Sequence, residues 1–143
     1  NLAQLTQFDM GSNQLSGSIP DSIGNLTQLT QLWLANNQLS GRIPDSMGNL
    51  ISLLSIRAGG NMLDGSVPIA LASLPQLQIM DWSNNLLSGV FPGALVTLPH
   101  MISLSVQSNY FCGVEDLQSG PRSRTIDFSR NLLDHASIGN LAQ

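Results

Sequence analysis

The sequence predicts an α/β repeat solenoid of short coils, whose short strands stack into a parallel sheet and whose return paths are short helical or irregular segments. Three observations predict this. Asn13, Asn37, Asn61, Asn85 and Asn109 recur every 24 residues. Leu15, Leu39, Leu63, Leu87 and Phe111 follow each Asn by two, and Gly17, Gly41, Gly65, Gly89 and Gly113 come two later still. Pro20, Pro44, Pro68 and Pro92 then complete four of the five units. A period fixed between about 20 and 50 residues is the signature of stacked repeats.

Read in order, the chain is one domain, 1–143, with full repeats at 1–24, 25–48, 49–72 and 73–96. Degenerate repeats follow at 97–118 and 119–139, and 140–143 opens another. Each unit starts with a short strand. In "LTQLWLANN" the alternation sends Leu32 and Leu34 inward and Trp33 outward. Copies side by side form a parallel sheet with strands about 4.8 Å apart. The Asn after each strand suits a turn, where its amide satisfies backbone groups freed by the bend. "LSGSIP" and "LSGRIP" read as a second extended segment, with Gly supplying unusual backbone angles and Pro lacking a donor. "DSIGNL" closes the coil with one helical turn. A single unit buries too little to stand alone, so stability is a sum of unit and neighbour contributions.

Composition narrows the function. Charged residues are 10% of the chain and aromatics 5%, while Ser, Asn and Gln number 19, 12 and 11 beside 24 Leu. All five basic residues are Arg and the net charge is −4, which disfavours nucleic-acid binding because that needs a basic face. The apolar runs are too short for a membrane helix. One cysteine, Cys112, excludes an internal disulfide framework and a Cys-based zinc site. Cys112 stands where other repeats carry Ser40 or Ser88, so it most simply replaces a small residue, the alternative being an intermolecular disulfide or a reactive thiol.

"LTQLTQLWLANNQLSGRIPDSMGNL" resembles the leucine-rich repeat (LRR) of the plant-specific type, LxxLxxLxLxxNxLxGxIPxxLGxL. The resemblance is close over 1–96 and looser beyond. It implies a right-handed leucine-rich-repeat superhelix with the parallel sheet on its concave side and short helical or irregular segments on its convex side. It also implies a non-catalytic module like those in ectodomains of plant receptor-like kinases and in secreted polygalacturonase-inhibiting proteins. By the same resemblance the location is extracellular, no cofactor is needed, and the concave face holds a peptide, protein or glycan. Three features depart from the family. There are no paired cap cysteines, repeat five reads "FCGVEDLQSGPRSR" in place of the IP element, and repeat six has His135 where Gly is expected. Both ends read NLAQ, which is expected either of a piece of a longer solenoid cut at the same repeat boundary or of a chain that stacks head to tail with copies of itself.

The outward strand positions are the candidate ligand-binding residues. A central row runs Asp9, Trp33, Arg57, Asp81, Ser105 and Asp127. Gln7, Gln31, Ser55, Ile79, Ser103 and Thr125 flank it on one side, and Gly11, Ala35, Gly59, Ser83, Gln107 and Ser129 on the other. Trp33 is either an interface anchor or the partner of Arg57 in a cation–π pair. Gly11, Ala35, Gly59 and Gly60 either leave a shallow strip for another backbone or are small residues tolerated at exposed sites. "RSR" places Arg122 and Arg124 either as a carboxylate clamp resembling that of some plant LRR receptors, since guanidinium forks bind carboxylates in two-pronged fashion, or in local ion pairs with Glu115, Asp116 and Asp127. Asn25-Leu26-Thr27 is an N-glycosylation triplet.

No catalytic or metal-binding constellation emerges. His100 and His135 are 35 residues apart, and Asp9, Asp81 and Asp127 are separated by whole coils. The leading function is therefore recognition on the concave face. The alternatives are a self-associating subunit that stacks end to end into a filament or extracellular layer and, more weakly, ice binding.

Overall fold

A three-residue strand has too few hydrogen bonds to persist alone, so each coil must offer its strand to the next. The computed structural model describes residues 2–115 and 125–133. In chain order the strands are β1 (Gln7–Asp9), β2 (Ser16–Gly17), β3 (Gln31–Trp33), β4 (Gln38–Arg42), β5 (Ser55–Arg57), β6 (Met62–Gly65), β7 (Ile79–Asp81), β8 (Leu86–Phe91), β9 (Ser103–Ser105), β10 (Tyr110–Val114) and β11 (Thr125–Asp127). The odd-numbered strands form one six-stranded sheet in sequence order, and the even-numbered strands form a second, five-stranded sheet. All pairings in both are parallel. The architecture is the predicted repeat solenoid. The "LSG" segments are its second sheet, as their extended reading implied.

The return path is equally regular. Asp21–Asn25, Asp45–Asn49 and Ile69–Ser73 are single 3₁₀ turns, and Gly93–Val96 is one α-helical turn, α1. Each follows a proline held at φ between −76° and −65° (Pro20, Pro44, Pro68 and Pro92). Proline suits that place because a helix start needs no donor there. The turns stack closely: a Cβ on Gly24 would lie 2.5 Å from the Ser46 carbonyl oxygen, so only glycine fits.

Between the sheets lies a core of inward side chains, among them Leu32, Ile56, Met80 and Leu104 at 0% exposure. The next inward position along the stack reads Met10, Leu34, Ala58, Trp82, Val106 and Phe128. Its smallest member, Ala58, stands one coil from its largest, Trp82, and both are fully buried. That alternation of volume keeps interior density even.

The turn asparagines behave as anticipated, and in more detail than a turn preference conveys. Asn85 Nδ2 donates to the carbonyls of Ala58 (3.1 Å) and Trp82 (3.0 Å), while its Oδ1 accepts the Leu63 amide (3.0 Å). Asn37, Asn61 and Asn109 repeat this set in their own coils. Asn131 repeats it too, bonding Val106, Phe128 and Phe111, although it follows Asn109 by 22 residues and breaks the period. Each asparagine thus meets the backbone needs of its own coil and of the preceding one. The residue just before it takes a left-handed conformation in every coil: Ser12, Asn36, Gly60, Asn84, Ser108 and Arg130 have φ between 53° and 71°.

Candidate ligand-binding face

Side chains two apart on a strand share a face, and parallel register carries that face across the sheet. The pairings join Asp9 to Trp33, Trp33 to Arg57, Arg57 to Asp81, Asp81 to Ser105, and Ser105 to Asp127. The flanking row Gln7, Gln31, Ser55, Ile79, Ser103 and Thr125 pairs in the same manner. The structure therefore places the predicted central residues on one continuous surface. Beyond the strands the ladder continues through backbone bonds such as Leu34 N–H to Arg57 O (2.7 Å) and Ala58 N–H to Asp81 O (2.8 Å). These hold the second flank, Gly11 to Ser129, in the same frame.

Trp33 and Arg57 form the pair weighed as one alternative: the guanidinium carbon lies 5.5 Å from the centre of the indole. Arg57 is exposed and Trp33 half-buried. Trp33 Nε1 is nonetheless shielded from solvent and has no hydrogen-bond partner. Ser55 Oγ shares that state, with the residue only 7% exposed on the outward side of β5. The carboxylates are braced locally. Asp9, Asp81 and Asp127 each accept the amide two residues on, from Gly11 (3.0 Å), Ser83 (2.9 Å) and Ser129 (2.9 Å). Such bonds fix where each carboxylate sits and leave its second oxygen as an acceptor.

The small-residue strip needs correction. Gly59 is buried, and a Cβ there would lie 2.8 Å from Ser83 Oγ and 3.1 Å from Asp81 Oδ1, so the neighbouring coil already fills that space. Gly60 has φ 71°, and its Cβ would meet Asn36 Oδ1 at 2.6 Å. Neither glycine offers room to a guest; both are set by packing and backbone conformation.

Elsewhere, Asn25 is exposed at the end of its 3₁₀ turn, where a glycan could attach without entering the core. Cys112 is a free, exposed thiol at the shift in register between Phe111 and Gly113, its Sγ 3.5 Å from the Gly89 carbonyl oxygen. His100 is exposed in the turn after α1. Arg122, Arg124, His135 and both NLAQ segments' first residues, Asn1 and Asn140, lie outside the described residues. Among the described residues no group of three His, Cys, Asp or Glu could hold a metal, and no helix is long and apolar enough to cross a membrane.

Comparison with known proteins fits this geometry. The family model described as "Leucine Rich Repeat" matches residues 4–26, 28–50 and 76–98. No curated protein sequence matches. Among solved structures, the chain is similar to the plant peptide hormone receptor RGFR1 in complex with RGF2, with 38% identity over 76% of this chain and a TM-score of 0.75. It is also similar to a TDR receptor, with 34% identity over 92% of this chain and a TM-score of 0.84. These matches span 18% and 23% of the respective receptor chains, so the sequence corresponds to about a fifth of their length. A chain of the BIR3–SERK2 complex from Arabidopsis thaliana is 30% identical over 85% of this chain and 73% of its own, with a TM-score of 0.73.

Proposed function

Because the chain belongs to the leucine-rich-repeat family, we propose that it is a non-catalytic recognition module, part of an extracellular protein, that holds a peptide along the exposed face of its six-stranded sheet. The observation that carries this reading is the unbroken row from Asp9 to Asp127. Hydrogen-bond acceptors, an aromatic ring and one guanidinium are presented there at strand spacing on a rigid support. An extended peptide suits such a surface, since it can lie across several strands and meet the acceptors, the ring and the guanidinium in turn. The similarity to a peptide hormone receptor supports the peptide class over other ligands. Similarity to a chain of a two-protein complex supports a further protein partner for the assembled molecule.

The test is selection of binding peptides from a random library on the immobilised chain, followed by titration of the best binder. Trp33→Ala should weaken it by about 2 kcal/mol, the scale of an aromatic anchor at an interface. Affinity unchanged by this substitution and by Arg57→Ala would remove the strand face as the binding site. Capture of oligosaccharides with no peptide selected would replace the ligand class.

A further inference from the structure

The middle of the strand face carries a chemical imbalance. Three donors stand on the outward side of the paired strands β3 and β5: the Trp33 indole N–H, the Ser55 hydroxyl and the Arg57 guanidinium. The first two are shielded from water and have no partner, and Ser55 is 7% exposed. Buried polar groups nearly always find partners, so two unpartnered ones on adjacent strands of one face mark a place for a ligand atom. Trp82 Nε1 is also unpartnered, but its residue is at 0% exposure in the core, away from this surface.

Arg57 lies over the Trp33 ring, its guanidinium carbon 5.5 Å from the ring centre, and it is the movable part. It is exposed, its long stem is flexible, and a surface cation–π contact is weak. The adjoining strands bring Asp9 to one side and Asp81 to the other. Two carboxylates one strand away disfavour an anionic guest. A neutral carbonyl suits the donors, and the second carboxylate oxygens remain as acceptors for its neighbouring N–H groups.

We propose that Trp33 Nε1 and Ser55 Oγ form a covered subsite for a backbone carbonyl of an extended, uncharged peptide stretch, opened when Arg57 swings off the indole. This rests on the reading of the strand face as the peptide site and adds which part of a peptide it takes.

The test follows the two indole N–H signals by NMR while the intact chain is titrated with N-methylacetamide, a neutral carbonyl probe, and in a parallel arm with acetate. The Trp33 signal moves saturably with N-methylacetamide and weakly with acetate, while the Trp82 signal stays and reports an unchanged core. Arg57→Ala tightens the response about three-fold, the factor that a surface cation–π contact represents. Ser55→Ala weakens it about five-fold, as expected for one lost hydrogen bond. The proposal is overturned by a Trp33 signal that moves no further than that of Trp82 in both wild type and Arg57→Ala. A stronger response to acetate overturns it as well. Selected peptides that Trp33→Ala weakens, beside an indole signal indifferent to N-methylacetamide, would sink the subsite and leave the face standing. A responding indole with no selected peptide would uphold the subsite and sink the broader reading.

Discussion

The second to fourth coils and the last two follow one plan in different materials. From β3 to β9 the paired strands are 24 residues apart and the inward positions Leu32, Ile56, Met80 and Leu104 are unbranched or branched aliphatics. From β9 to β11 the interval is 22 residues. There aromatic rings join the aliphatic core: Phe91, at the end of β8 in the fourth coil, meets Phe111 and Phe128 edge to face, with ring centres 5.4 Å and 5.2 Å apart. β10 also slips on β8 between Phe111 and Gly113. Yet strand register and the turn asparagine persist in both regions. The stack therefore depends on its strand row and asparagine, while the return path can shorten and the core can change composition, provided the volume is filled.

The sharpest way to break that comparison is to remove an asparagine from each region. Asn85→Ala strips partners from a buried amide and two carbonyls and should cost about 4 kcal/mol by urea denaturation. Asn131→Ala should cost about 2 kcal/mol, because Asn131 is half-buried and water can replace part of what is lost. Equal losses would mean that burial does not set the strength of the bonds. Next comes Phe91→Leu, which should cost about 2 kcal/mol through lost ring contacts and a small void. Hydrogen exchange should show faster opening of β9 and β11 with β3 and β5 unchanged, and uniform acceleration would refute a separate aromatic region. Gly60→Ala should lose about 1.5 kcal/mol, since the left-handed backbone and Asn36 Oδ1 both oppose a Cβ. The smallest effect is the reverse exchange: Arg130→Gly, at φ 54°, should raise the thermal midpoint slightly, by about 0.5 kcal/mol of stability. A lowered midpoint would show that Arg130 makes a compensating contact.

Most of the architecture was legible because a repeat states the same information several times. Both rows of outward strand residues could be written down from the alternation around Leu32 and Leu34, and pairing partners follow once strands stack in order. Asn131 escaped the 24-residue series because the chain there is two residues short, although "SRN" aligns with "QSN" in placing Asn behind a left-handed residue. The burial of Ser55 and of the Trp33 nitrogen was not legible. Both stand at outward positions, where strand alternation alone predicts exposure. Gly59 was misread for a similar reason: the atoms that exclude a Cβ there belong to Asp81 and Ser83 in the next coil.

The asparagine bonds also have a direction. Asn37 reaches back to Met10 and Leu15, Asn61 to Leu34 and Leu39, and Asn85 to Ala58 and Leu63. In every case the later coil supplies the clasp and the earlier coil the backbone it closes on. A chain emerging from the ribosome with its N-terminus first thus lays down each receiving surface before the residue that locks onto it. The fold can be assembled vectorially, each coil setting on the last, without waiting for the end of the polypeptide.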